Sequence, residues 1–294
     1  MSVQVKEVPI LPAEAIRETA SPFVIMSRRF FRHSSARLGL FLLSILVTCA
    51  VFSEQIAPFD PIVPLKDVKR RDTACIHLFG CPDEKAQHLM GIDGNSRDLF
   101  SRIVFGARLS LQIGVSTISF SILIGGLLGA IAGFFGGWVD DFIMRILDVL
   151  LAFPSLLLAI GIVQIPVYAR VVRASVVSVK ELDFISASRA LGASEIRILF
   201  NRIMPNALTQ LIVQGTLGIA TAILSAAALS FLGLGAEFPT PEWGLMLGEE
   251  RNSVFNAPHL VFYPGIAIMF TVLSFNLLGD GLRDALDPRL SNVN

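Results

Sequence analysis

Five runs of about twenty predominantly apolar residues decide which solvent this chain folds in. The hydrocarbon core of a bilayer takes about 20 such residues per helix, and the chain offers them at 38–57, 110–135, from Phe142 onward, at 208–234 and at 261–278. Backbone polar groups inside lipid must be satisfied within their own segment, so spans of this length are helices and the fold class is all-α and polytopic. Composition agrees. Hydrophobic residues make up 53% of the 294 and charged residues only 16%, where a soluble domain carries roughly 25% charged. The 24 basic and 24 acidic residues cancel, so bulk charge points neither to nucleic acid nor to an acidic substrate. Only the placement of charge informs.

Arg28, Arg29, Arg32 and Arg37 precede the first run. By the positive-inside rule they hold residues 1–37 in the cytoplasm and send the helix at 38–57 outward. A polar leader of that length does not fit a cleavable signal peptide, and Thr48 in "LVTC" spoils a lipoprotein cleavage site, so Cys49 reads as a lone buried thiol. Residues 58–109 then form an extracytoplasmic loop that ends in a short interfacial helix. There Phe100, Ile103, Val104 and Leu109 recur at helical spacing beside Arg97, Asp98, Arg102 and Arg108. Cys75 and Cys81 fall in the same loop, in an oxidising compartment where nearby thiols tend to pair. Two independent thiols remain the alternative, because spacing alone does not fix disulfide geometry. A metal site would want more ligands than these two and His77.

The remaining core, 110–294, carries three features. Gly125 and Gly129 form a small-xxx-small pair that lets another helix approach closely. Arg145 and Asp148, three apart on one helical face, suit snorkelling and mutual neutralisation at a membrane end. A loop with Pro239, Pro241 and Trp243 suits an extracytoplasmic lid or an interfacial anchor, and the closing "GDGLRDALDPRL" suits the cytoplasmic side. Between the third and fourth runs lies 179–206, polar enough for water, with Lys180, Arg189, Arg197 and Arg202 marking a cytoplasmic face. It reads as two helical halves about Gly192, which can take the left-handed conformation a turn needs. Leu182, Ile185 and Ala190 are the apolar positions of the first half. Ser194 caps the second, whose apolar positions are Ile196, Ile198, Leu199 and Ile203 and which ends at Pro205. On pattern alone this is equally a docking knob and a solvated connector.

No chemistry-bearing constellation stands out. The chain has no GxxxxGK[ST] for phosphate and no HExxH for a metal, and His33, His77, His88 and His259 lie outside the apolar runs. Ser194 in "GASE" has no histidine in a neighbouring span to activate it. Catalytic residues, metal ligands and cofactors are therefore all read as none, and the chain as no enzyme. A secondary transporter or channel would want ionisable residues at mid-membrane depth or an inverted repeat, and neither is visible. A membrane scaffold without transport is the third reading.

The segments "GIDGNSRDLFSR", "GARLSL", "GGWVDDFIMRILDVLLAFPSLLLAI", "YARVVRASV", "SRALGAS", "LSFLGLG", "PTPEWGLML" and "FNLLGDGLRDALDPRL" resemble, piece by piece and in order, the dipeptide and oligopeptide permease family of bacterial ABC importers. The resemblance implies a type I permease-like helical bundle in the bacterial inner membrane. Its partners would be a homologous permease subunit, two cytoplasmic ATPase subunits and an extracytoplasmic solute-binding protein, with peptides or similar small solutes as cargo. It also implies that the exposed loop is the coupling helix that sits in a groove of the ATPase. That role falls to Ser186, Ala187, Ser188, Arg189, Ala190, Leu191, Gly192, Ala193 and Ser194. The Glu-Ala-Ala that characterises the loop reads Ser186, Ala187, Ser188 here, so the glutamate's ionic contact is missing. Ser96 stands where the family has glycine, which bears on the turn geometry there.

Counting exposes a conflict. Between Asp148 and Arg170 lie 21 uncharged residues, about 32 Å of helix at 1.5 Å per residue, enough for one crossing of a roughly 30 Å core and not for two. Five plain spans would leave the coupling loop outside, whereas the family has six. The chain therefore reads as shortened by about one helix near Ile160–Gln164, with an irregular path over Val149–Tyr168 broken at Pro154 and Pro166 and with transport impaired.

Overall fold

The computed structural model describes residues 27–28, 30–79, 81–82, 85–152 and 160–286. Helices α1 (Ser34–Val51), α2 (Leu99–Phe135), α3 (Gly137–Ala152), α4 (Ile160–Lys180), α5 (Asp183–Ala190), α6 (Glu195–Ile198), α7 (Met204–Phe231), α8 (Trp243–Glu250) and α9 (His259–Leu286) follow in order. Among the described residues, five helical stretches are long and apolar enough to cross a membrane: Ser34–Val51, Leu99–Phe135, Gly161–Lys180, Glu195–Phe231 and His259–Leu286. The expected interfacial helix does not stand apart. Residues 99–109 are the first turns of α2, capped by Asp98, whose carboxylate accepts from the Ser101 backbone N–H at 2.8 Å. Leu99, Arg102 and Val104 are buried in protein instead of lying on a lipid surface, because the loop before α2 and α8 fold over them.

Close packing of α2 on α4 organises the bundle. Gly125 faces Ile165 and Tyr168, Gly129 faces Ala169 and Gly133 faces Val176, so the two helices run parallel. A Cβ on Gly133 would come within 2.9 Å of the Arg173 carbonyl oxygen, which is the backbone approach that small residues permit between membrane helices. Lys180 at the end of α4 donates to the Gly133 carbonyl at 2.9 Å, so α4 finishes beside the turn at Gly136.

That placement resolves the counting. Helix α3 leaves the Gly136 end, α4 returns to it, and the two are antiparallel, with Leu147, Ile165 and Ala169 at their shared core. The charges that seemed to bound a single span lie within the hairpin as ion pairs: Asp140 takes a two-pronged contact from Arg173, and Asp148 pairs with Arg170. Arg145, one turn away on the same helix, is not Asp148's partner. Pairing removes the reason to exclude these residues from the hairpin legs, so more chain is available for the excursion than the uncharged stretch alone. Pro166 sits inside α4 without breaking it, and the path is regular helix to Ala152 and again from Ile160. Pro154 lies outside the described residues, as does the chain after Leu286.

At the opposite end the described residues between 57 and 98 fold back on the start of α2. Cys75 and Cys81 are joined by a disulfide, their Cα atoms 5.3 Å apart. Ser96 holds a φ of +61°, so the tight turn survives without glycine. His88 meets the α2 cap through a 2.8 Å contact between its Nδ1 and Asp98.

Candidate functional site

Between α4 and α7 the chain makes a compact turn of two short helices on the Gly136 end of the bundle. Ile185, Ile198, Leu199 and Ile203 are all buried on its underside, in one cluster with Val172, Val176, Ala207 and Leu211. The apolar spacing seen in sequence is thus the anchor only in part: Leu182, Ala190 and Ile196 face outward.

The turn has a specific closure. Gly192 has a φ of +81°. Its N–H donates to the Arg189 carbonyl at 3.0 Å, and the Ala193 N–H donates to the Ser188 carbonyl at 3.2 Å. These two bonds satisfy the last carbonyls of α5 in the Schellman arrangement, which needs a left-handed residue in Gly192's place. A Cβ there would meet nothing within 4 Å, so the demand for glycine comes from backbone conformation and not from crowding. Across the turn, Arg189 grips Glu195 with both prongs, at 2.8 and 3.1 Å. That hydrogen-bonded partner raises the Arg189 guanidinium above its ordinary pKa. Ser194 occupies the N-cap position of α6, but its hydroxyl makes no capping bond.

What this arrangement presents is a small projecting surface. Ser186, Ala187, Arg189, Ala190, Leu191, Gly192 and Ser194 are exposed, while Ser188 and Ala193 are half-buried. Leu191 stands 89% exposed at the apex, an apolar side chain with no place in its own fold. Beside it lies a shallow cavity of about 290 Å³ lined by Ser188, Leu191, Ala193, Arg197, Ile198, Asn201 and Arg202. In the sequence Arg197 and Arg202 mark the cytoplasmic face, with no sign that they share a cavity. In an α-helix their spacing of five puts them on different faces, but Leu199–Ile203 is a π-turn, whose i→i+5 closure gathers residues five apart. The helix also does not end at Pro205. It runs from the π-turn into α7, with Pro205 in the first turn of α7.

The far end is built differently. Arg97 and Arg102 are fully buried, and Glu249 contacts both, at 3.0 and 3.5 Å. Asp93 pairs with Arg97 at 2.7 Å, and Glu250 accepts from Arg71 at 3.0 Å and from the Gly94 N–H at 2.8 Å. Burial pushes the Glu249 carboxyl above the usual carboxylate range, although both arginines pull it down. Of the residues read as a lid or anchor, the Pro239 carbonyl accepts from Arg102 at 3.2 Å, and the Pro241 carbonyl lies over Gly106. Trp243 is 1% exposed, with its indole N–H on the Ile103 carbonyl at 3.1 Å. Trp243 is therefore an internal wedge and not an interfacial anchor. Gly106, beneath it, leaves the space a side chain would fill.

Comparison with known proteins gives concordant matches. Residues 157–292 match the family model described as binding-protein-dependent transport system inner membrane component, and residues 21–72 match that of the N-terminal TM domain of oligopeptide transport permease C. A dipeptide transport system permease protein of Alkalihalophilus pseudofirmus is 42% identical over 298 residues, covering 96% of this chain and 94% of the relative. A glutathione transport system permease protein of Pectobacterium atrosepticum is 40% identical over 300 residues, covering 96% of each. A di/tripeptide transport system permease protein of Pseudomonas aeruginosa is 42% identical, covering 93% of this chain and 94% of the relative. The first two alignments are longer than the 294 residues of this chain, so these relatives carry residues that it lacks.

Proposed function

We propose, from the premise that the chain belongs to the family of binding-protein-dependent transport inner membrane components and is a transmembrane permease subunit of an ABC importer, that the turn at Gly192 couples an ATPase to the pore. The carrying observation is Leu191, held at the apex of a turn closed by Gly192 and by the Arg189–Glu195 pair. A surface that rigid and that exposed is suited to insertion into a partner's groove. Through α4 and α7, which it joins, a push on the turn reaches two membrane helices at once.

In this reading two cytoplasmic ATPase subunits engage this chain and a homologous permease subunit, and an extracytoplasmic solute-binding protein delivers cargo to the face that carries α8. Pro239, Pro241 and Trp243 belong to that outer face as a fixed lid. The setting is the bacterial inner membrane with the N-terminus inside, and the Cys75–Cys81 bridge lies outside, where it forms. Alkylation mass spectrometry on denatured, unreduced membranes is expected to find Cys49 modified and Cys75 and Cys81 protected. The cargo is a peptide or similar small solute, as the relatives' names suggest. Because α3 and α4 return to their starting end, shortening of the hairpin leaves the coupling turn on the ATPase side and lowers transport instead of abolishing it. Grafting a relative's additional residues near Ile160–Gln164 is expected to raise the transport rate.

The test of coupling is direct. Reconstituted complexes carrying Gly192→Val are expected to assemble in the membrane but lose cargo-stimulated ATP hydrolysis, since a β-branched side chain is a poor occupant of positive φ. Retained stimulation would remove the turn from the mechanism.

A further inference from the structure

Helix α7 has two faces of opposite character within one membrane span. Leu208 and Ile212 are about half exposed on one side, as lipid-facing residues should be. On the opposite side Asn206, Gln210 and Gln214 follow at intervals of four, a stripe of uncharged amides along one line of the helix. They floor an open groove of about 810 Å³ between α4 and α9, flanked by Thr209, by Val171 of α4 and by Arg283 of α9 at the Gly136 end. The Asn206 amide donates to the Arg202 carbonyl at 2.8 Å. Among the described residues, the side chains of Gln210 and Gln214 make no hydrogen bond within the chain.

An amide facing hydrocarbon without a partner is costly, and lipid offers none. The stripe therefore faces water or a hydrogen-bonding solute. Its chemistry narrows the choice: amide side chains donate and accept together and carry no charge, which matches the N–H and C=O groups of a peptide backbone and is indifferent to the side chains between them. We propose that Asn206, Gln210 and Gln214 are the wall of the translocation path that hydrogen-bonds the amide groups of peptide cargo. This deepens the permease reading and rests on it.

Cysteines placed singly at positions 208, 210, 212 and 214 of a Cys49→Ser chain, in the assembled complex in membranes, distinguish the cases. A charged methanethiosulfonate, which attacks only thiolates in contact with water, is expected to modify the Gln210→Cys and Gln214→Cys chains about tenfold or more faster than the Leu208→Cys and Ile212→Cys chains. A casein di- and tripeptide mixture with binding protein and ATP is expected to slow the first two only. Equal rates at all four positions, or slower reaction at 210 and 214 because the partner subunit covers them, would overturn the proposal. So would fast reaction that the peptide mixture leaves unchanged. In the same complexes Gln214→Leu is expected to raise KM for peptide while ATP hydrolysis still responds to the binding protein, with Gln214→Asn restoring KM; an unaltered KM counts against the proposal. A wild-type complex in which no ATPase associates would instead defeat the permease reading itself.

Discussion

The two ends of the bundle are stabilised in opposite ways. At the α8 end, charged side chains are sequestered: Arg97 and Arg102 are buried with Asp93 and Glu249, and Trp243 fills the space over Gly106. At the Gly136 end the charges face outward. Arg189 and Glu195 pair on the surface, Arg197 and Arg202 line an open cavity, and Leu191 projects from the apex. At the first end the charged network is paired within the chain; at the second the charged groups and Leu191 lie on the surface. A buried, mutually paired network can act as a fixed frame, whereas exposed groups around an apolar apex are suited to receive force from a partner.

The largest effect that separates the two belongs to the frame. Removing one member of a buried ion network while the others stay costs about 3–5 kcal/mol, so Arg102→Met is expected to deplete folded protein from the membrane, as measured by thermal unfolding in detergent. The remaining defect carries a pH signature. Burial raises Glu249 above its ordinary value, and a group with a raised folded pKa contributes stability that is present at low pH and lost as pH rises through that pKa. The melting temperature of Arg102→Met is therefore expected to climb as pH falls from about 7 to about 5, and a flat profile would contradict buried charge as the cause.

Next in size is Gly192→Val at the other end. Forcing a β-branched residue to positive φ strains the turn by about 1–3 kcal/mol. The strain is local and smaller than the loss of a buried ion partner, so the melting temperature should fall less than in Arg102→Met while cargo-stimulated ATP hydrolysis disappears. An equal fall in both would erase the distinction between frame and coupling surface. Leu191→Ser should weaken ATPase association without lowering melting temperature, because the side chain is 89% exposed; binding of the isolated ATPase to permease in nanodiscs checks it. Smallest is Glu195→Gln. The Arg189–Glu195 pair lies in full solvent, where screening leaves exposed ion pairs little to contribute to stability, so unchanged melting with a modest rise in the ATPase concentration needed for half-maximal coupling is expected.

Much of the turn at Gly192 was legible in the sequence because it is local. The left-handed Gly192, the buried Ile185, Ile198 and Ile203, and the close approach at Gly125 and Gly129 all follow from spacing within a single segment. What escaped depends on contacts between distant segments. Asp148 pairs with Arg170 across a hairpin and not with Arg145 one turn away, so the charges that looked like membrane boundaries lie inside the hairpin's legs. Trp243 has the composition of an interfacial anchor, yet its partner is Ile103, 140 residues earlier. Arg197 and Arg202 converge only because a π-turn replaces α-helix between them. The α7 amide stripe was readable in principle at spacing four, but only the neighbouring α4 and α9 show that it floors a groove.

The central claim, that the turn at Gly192 and the loop after α7 lie on opposite sides of the membrane with the turn inside, is tested by accessibility in intact cells. Ser194 and Asn252 are both exposed, so an impermeant thiol reagent can reach each wherever its side is open. Asn252→Cys is expected to be labelled in intact cells and Ser194→Cys only in inverted vesicles. Labelling of Ser194→Cys from outside, with Asn252→Cys protected, would put the turn out of the ATPase's reach and contradict the account.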